Sequence, residues 1–155
     1  MVQNPSQGEL RKLNLEDKYV VLGWRNDPET IATSISGESV SLEEHENWFS
    51  SLLDSKSDHA YMATDYLGNQ LCFIYFSQRN LNEYEISINV NPDMRGQGIA
   101  TVFLSIAISE FRSLQKVELI ARVLESNTAS KILFERLGFK DISKENQTIR
   151  IYSLH

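Results

Sequence analysis

Val90-Asn91-Pro92-Asp93-Met94-Arg95-Gly96-Gln97-Gly98-Ile99-Ala100 is the stretch on which the fold turns. Upstream of it, Glu83 to Val90 alternate. Glu83, Glu85, Ser87 and Asn89 face one way and Tyr84, Ile86, Ile88 and Val90 the other, the pattern of a strand. Downstream, Ile99 to about Phe111 reads as a helix that is apolar nearly all round. Only Thr101, Ser105, Ser109 and Arg112 form a narrow polar stripe, so most of this helix is expected to be buried. The turn between them carries Arg95-Gly96-Gln97-Gly98. Glycine lets backbone come close to a ligand, and a helix start offers free N–H groups at the positive end of its dipole. Strand, glycine-rich turn and buried helix together suit a pyrophosphate cradle that needs no lysine cluster; a tight turn without a ligand gives the same pattern. A dinucleotide fingerprint would want a third small residue where Thr101 stands, and a Walker loop would want Gly-Lys-Ser/Thr.

Working outward, Leu10 to Leu13 reads as a first strand and Leu15 to about Arg25 as a helix with Asn14 as N-cap, ended by Asp27-Pro28. Ser41-Leu42-Glu43-Glu44 has the spacing of a capping box, and Leu42, His45, Phe49, Leu52 and Leu53 recur at helical intervals. Tyr61 to Thr64 and the continuously apolar Leu71 to Phe76 read as strands around a hairpin turn at Tyr66 to Asn69. The apolar run marks a strand covered on both faces. Beyond the central helix come a strand, Val117 to Val123, and a helix from about Asn127 to Leu137 stopped by Gly138. Two short strands follow, Phe139 to Ile142 and Thr148 to Tyr152. The order predicts an α/β (α+β) single domain over residues 1–155, with a mixed, mostly antiparallel sheet of about seven strands and about four helices.

Composition narrows the function. The 155 residues are 41% hydrophobic and 10% aromatic, enough for a core, and 15 Lys and Arg against 21 Asp and Glu give a net charge of -6. Generic nucleic-acid binding, which draws its affinity from neutralising phosphates, does not suit that balance, and an anionic ligand would need a local positive site. One cysteine, Cys72, permits no intrachain disulfide. Met1-Val2-Gln3-Asn4-Pro5 has neither the basic nor the apolar part of a secretory leader, and no apolar run approaches the ~20 residues of a membrane span. The expectation is a cytoplasmic protein with no nucleic-acid or membrane partner, monomer or homodimer. His45, His59 and His155 lack metal-ligand spacing, so no metal is expected.

A second motif runs from Asn127 to Phe139. On a helical period Asn127, Ser130, Lys131 and Phe134 share one face, while Ala129, Ile132, Leu133 and Leu137 cover another. Arg95-x-x-Gly98-x-Ala100 after a strand resembles the acetyl-CoA signature of the GNAT superfamily of N-acetyltransferases. Asn127-x-x-Ser130-x-x-x-Phe134-Glu135-x-Leu137-Gly138-Phe139 is similar to that superfamily's later pantetheine-contacting helix. The two motifs lie about thirty residues apart, and the element order fits along the whole chain.

The resemblance implies a transfer of acetyl from acetyl-CoA, as co-substrate, directly to a primary amine of a small-molecule acceptor. It implies that backbone N–H groups of Arg95, Gly96, Gln97, Gly98, Ile99 and Ala100 hold the pyrophosphate. Strand residues around Ile88 and Val90 would pair with the pantetheine arm. Asn127, Ser130, Lys131 and Phe134 would contact the CoA, and Lys131 or Arg95 would either meet a phosphate or remain surface cations. Trp24-Arg25-Asn26-Asp27-Pro28-Glu29, with Val40 to His45 and Trp48-Phe49, resembles a narrower group, bacterial N-acetyltransferases acting on nucleotide-linked amino sugars in pathways of the pseudaminic acid type. Arg25, Asn26, His45, Trp48 and Tyr75 are then the acceptor-binding candidates. Arg25 and Asn26 suit a diphosphate or sugar hydroxyls, and Trp48 suits a sugar or base unless it is core. His45, among Leu42, Phe49 and Leu52, fits a packed histidine as well as a catalytic one.

The chemistry needs a base for the amine and stabilisation of the thioester oxygen. Glu85, with Ser87 on the same polar strand face, is the candidate base, acting through a water. Glu83 is the second choice, and a plain solvent face is the alternative. The superfamily's tyrosine acid falls at Phe134, which cannot donate a proton. Tyr75, Tyr84, Ser87 or a water could substitute, or a thiolate could leave unaided. Other functions compatible with the sequence are a protein N-terminal or ribosomal-protein acetyltransferase and a non-catalytic acyl-CoA-binding sensor.

Overall fold

The computed structural model describes residues 8–155; the opening stretch read above for a leader lies outside them. In chain order the elements are β1 (Glu9–Lys12), α1 (Lys18–Arg25), α2 (Pro28–Thr33), α3 (Leu42–Asp54), β2 (His59–Thr64), β3 (Gln70–Asn80) and β4 (Glu83–Val90). Then follow α4 (Ile99–Leu114), β5 (Glu118–Leu124), α5 (Thr128–Arg136), β6 (Lys140–Asp141) and β7 (Ile149–Leu154). The strands form one seven-stranded sheet in the order β1-β2-β3-β4-β5-β7-β6.

All neighbours are antiparallel except β4 and β5, which run parallel. They pair only from Glu83↔Glu118 to Glu85↔Ile120. Beyond Glu85, β4 keeps its antiparallel partner β3 through Val90↔Cys72, and β5 keeps β7 through Leu124↔Ile149. The sheet therefore splays open between β4 and β5, leaving the β5-facing edge of Ile86 to Val90 without a strand partner.

Two cores flank the sheet. Under α4, Ile99, Phe103, Leu104, Ala107, Ile108 and Phe111 pack on Cys72, Ile74 and Phe76 of β3 and Tyr84 and Ile86 of β4. On the other face α1 and α3 bury Val21, Trp24, Phe49 and Leu52 against Met62 and Phe73. The apolar run of β3 is thus covered on both sides, as its composition predicts.

The expected four helices are five. Asp27-Pro28 does end α1, but it also opens α2: Asp27 is the N-cap, accepting from the Thr30 N–H, and Pro28 takes the first position, where its missing N–H costs nothing. The expected helix from Leu15 begins as a 3-10 turn, Leu15–Asp17. There Asn14 and Asp17 make the reciprocal capping box. At α3 Ser41 Oγ accepts from the Glu44 N–H at 3.2 Å, the forward half of the box the spacing suggested.

The end of α5 explains its Leu-Gly-Phe sequence. Gly138 sits at φ +94, its N–H donates to the Glu135 carbonyl and the Phe139 N–H donates to the Phe134 carbonyl. This is a Schellman closure, and the 5.1 Å contact between the Phe134 and Phe139 rings is the apolar staple that accompanies it.

Candidate active site

The turn after β4 is tied down before it opens. Asn91 donates its backbone N–H to Leu71 O and its side-chain amide to Gln70 O, while its Oδ1 accepts from the Asp93 N–H. Gly96 (φ +77) and Gly98 (φ +75) then take left-handed angles that L side chains rarely adopt. A Cβ at either glycine would meet nothing within 4 Å. From Arg95 to Thr101 no backbone N–H donates to an acceptor among the described residues. A row of free N–H groups at the start of a 16-residue helix, beside space left open by two glycines, has the donors and the room to receive a phosphate-bearing group.

The cations expected nearby are already engaged. Arg95 turns to α2 and its cap: Nη2 donates to Asp27 Oδ2 (2.6 Å) and Thr30 Oγ1 (3.0 Å), and Nη1 to Glu29 Oε2 (2.8 Å). Arg95 thereby straps the glycine turn to α2 and holds the Asp27 carboxyl below its ordinary range. Lys131 donates to Glu125 Oε1 and to the Glu125 carbonyl. Asn127 Oδ1 caps α5 through the Ser130 N–H. Phe134 is in the core, 4% exposed between Phe139 and Tyr152, rather than on an open face with Ser130 and Lys131, because its ring is the staple of the helix end. Ile88 and Val90 pack their side chains toward the α4 core while their backbone forms the edge of the splay.

Across the splay, Glu85, Ser87 and Asn89 occupy the face of β4 toward α1 and α3. Ser87 stands opposite Tyr75 and Asn89 opposite Phe73. Glu85 Oε1 accepts from Arg122 Nε (2.8 Å) and lies 3.4 Å from Arg79 Nη1; Oε2 has no partner among the described residues. The sequence reading missed Arg79, Arg122 and Asp58. Arg122 had a signal, being the one charge inside the apolar run Leu119 to Val123. Asp58 accepts from Tyr75 OH at 2.9 Å and from the Gln78 N–H, and burial pushes the Tyr75 hydroxyl up.

The acceptor candidates divide sharply. Asn26 uses both ends of its amide on Val40, accepting from its N–H and donating to its carbonyl, and so clasps the loop between α2 and α3. His45 is fully buried. Its Nε2 lies 2.6 Å from Lys18 O, so Nε2 carries the proton and Nδ1 accepts from Arg25 Nη1 at 3.1 Å. Burial, with Arg25 and Lys18 nearby, lowers its pKa and keeps it neutral. With both nitrogens occupied, it has no atom to offer a substrate. Trp48 carries the Arg25 guanidinium over its ring at 4.4 Å and sets its edges on Phe73 and Tyr75, so one face is not free for a base or sugar. A cavity of about 750 Å³ lies between Val20 and Trp24 of α1, the β2–β3 turn and Gln97 of the cradle. Among the described residues no helix is long and apolar enough to cross a membrane.

The fold is shared with solved structures. Over 96% of this chain and 94% of the other, it superposes on a spermidine N-acetyltransferase from Vibrio cholerae in complex with CoA and spermine, with a TM-score of 0.82 at 18% identity. A domain from Methanocaldococcus jannaschii also gives 0.82, at 24% identity over 95% of this chain and 97% of that one. In sequence, an uncharacterized protein of the same archaeon is 25% identical over 148 residues; the chain covers 31% of that relative's length. Residues 9–140 match the family described as acetyltransferase (GNAT) domain, the stretch from β1 to β6 that holds the splay, the cradle and α5, and the chain belongs to that family.

Proposed function

We propose that this protein acetylates a primary amine directly from acetyl-CoA, and that the acceptor is a nucleotide-linked amino sugar. The observation that carries the first half is the row of unpartnered N–H groups from Arg95 to Thr101, with open space at Gly96 and Gly98, at the mouth of the β4–β5 splay. Acetyl-CoA supplies the activated thioester. The cradle holds its pyrophosphate, the free edge of Ile86 to Val90 offers backbone hydrogen bonds to its amide-bearing arm, and a backbone N–H near Asn89 or Val90 polarises the thioester oxygen.

Glu85 takes the amine proton through a water at Oε2, the oxygen that Arg79 and Arg122 leave free. The amine nitrogen forms its bond to the acetyl carbon as the carbon–sulfur bond breaks. No hydroxyl at Phe134 serves the leaving sulfur. Tyr75 is committed to Asp58, so the leaving group departs as thiolate or takes its proton from solvent. A thiol with an ordinary pKa of about 8.5 allows this near neutrality. The nucleotide-linked acceptor rests on the similarity of the Trp24–Glu29 and Val40–Phe49 stretches and on Arg25 within the first of them, which forms no ion pair with a carboxylate among the described residues.

The test is thiol release from acetyl-CoA in the presence of amino-sugar nucleotides, N-terminal peptides, or no amine. Amine-dependent release with the nucleotides supports the whole reading. Release only with peptides moves the acceptor to proteins. Tight acetyl-CoA binding without transfer to any amine identifies a sensor.

A further inference from the structure

Arg25 stands apart from the other guanidiniums near the cleft. Arg79 and Arg122 share Glu85, and Arg95 holds Asp27 and Glu29. Arg25 pairs with no carboxylate among the described residues; its one hydrogen bond is to His45 Nδ1. It is half-buried, and burial depresses its pKa, so its charge is poorly solvated. Glu44 is near enough to favour that charge but forms no ion pair with it, and a half-buried charge without an ion-pair partner is unfavourable. It is held from two sides, its Cζ over the Trp48 ring at 4.4 Å from the centroid and its Nη1 3.1 Å from His45 Nδ1. The neutral His45 orients the guanidinium without neutralising it.

The place is also specific. Trp48 rests on Phe73 and Tyr75, which pair with Asn89 and Ser87. Trp48, with Arg25 over it, therefore packs on β3, the strand next to β4, on the sheet face that also carries Glu85, Ser87 and Asn89.

We propose that Arg25 binds an oxyanion carried by the acceptor amine, a phosphate or a carboxylate, and that His45 is a positioning residue that holds Arg25 for it. The proposal rests on the acetyl-transfer reading above and narrows its acceptor. A guanidinium on an aromatic platform presents its remaining N–H donors to an oxyanion as a rigid fork. A polyamine would instead bring more positive charge to an unpaired arginine.

The experiment measures acetyl transfer from acetyl-CoA to glucosamine, glucosamine 6-phosphate, an amino-sugar nucleotide, ethanolamine, β-alanine and spermidine. The enzymes compared are wild type, Arg25→Gln, Arg25→Lys, His45→Asn and His45→Leu. In wild type the oxyanion-bearing amine of a matched pair should lead by about 10- to 100-fold in kcat/KM, the range for a hydrogen bond to a charged group. A lead for glucosamine 6-phosphate over glucosamine identifies phosphate, and a lead for β-alanine over ethanolamine identifies carboxylate. Arg25→Gln should erase the lead through KM for the amine, with the thermal shift given by CoA unchanged, and Arg25→Lys should keep part of it. His45→Leu should raise the same KM, and His45→Asn, which retains an acceptor for Arg25, should recover part of the loss. Equal rates for charged and uncharged partners, or a preference for spermidine, would overturn this inference while leaving acetyl transfer standing. No transfer to any amine would overturn both. If Arg25→Gln fails to fold, Arg25→Lys carries the residue test: an unchanged lead and an unchanged KM for the amine in that variant overturn the assignment to Arg25.

Discussion

Gly98→Ala separates the cradle's ligand role from its structural role. Gly98 sits at φ +75, where an L residue costs about 1 kcal/mol. The added Cβ meets no protein atom within 4 Å, so strain is the whole structural effect. For a chain of this size that lowers Tm by roughly 2–4 °C. If the N–H row holds a pyrophosphate, the methyl intrudes on the ligand's side and the turn loses its geometry. CoA at 100 times its Kd stabilises the wild type by about 2.7 kcal/mol, a rise of roughly 5–10 °C. A hundredfold loss of affinity leaves about 0.4 kcal/mol at the same concentration, a rise of about 1 °C. Gly37→Ala is the control: φ +66, equally open, and in the loop between α2 and α3 away from the turn. It should show the same loss of Tm and keep the full CoA shift. Thermal melts of the three proteins with and without CoA read both quantities. A Gly98→Ala protein that keeps the wild-type shift refutes the cradle, and so does a Gly37→Ala protein that loses as much as Gly98→Ala.

Two further predictions concern stability. Asp17 is fully buried, accepts from both Arg11 terminal nitrogens (2.7 and 2.8 Å), Gln70 Nε2 and the Asn14 N–H, and so joins β1, the start of α1 and β3. Burial pushes its carboxyl up, but those donors outweigh it and hold it below the ordinary range. Asp17→Ala strands a guanidinium and two N–H donors and should cost about 3 kcal/mol by urea unfolding; a loss under about 1 kcal/mol would show the cluster to be incidental. His45 has a folded pKa below its unfolded value, burial being the main cause. The unfolded chain therefore binds more protons near pH 6, and His45's contribution is full above pH 6.5 and shrinks as pH falls below it. The Tm gap between wild type and His45→Asn should narrow from pH 7.5 to 5.5, and a constant gap would show that His45 does not titrate against folding.

The sequence by itself determined the elements that local rules control. Period-two alternation fixed β4, the all-round apolar run fixed α4 as the buried helix, and the Asn127 cap and Gly138 stop bracketed α5, because pattern and cap chemistry act within a few residues. The glycine turn was legible for the same reason: glycine takes a positive φ at least cost, as Gly96 and Gly98 do. At Asp27-Pro28 the local signal was ambiguous, since the same pair ends one helix and begins another. The Trp24–Glu29 stretch looked like a set of ligand contacts, and there tertiary structure decided. Asn26 spends its amide on Val40, and Asp27 and Glu29 hold Arg95, 68 and 66 residues away. Whether a polar side chain is free for a ligand depends on which distant partner reaches it first. No spacing along the chain records that His45 is saturated, that Glu85 lies between two arginines, or that Arg25, beside the cleft, forms no ion pair with a carboxylate among the described residues.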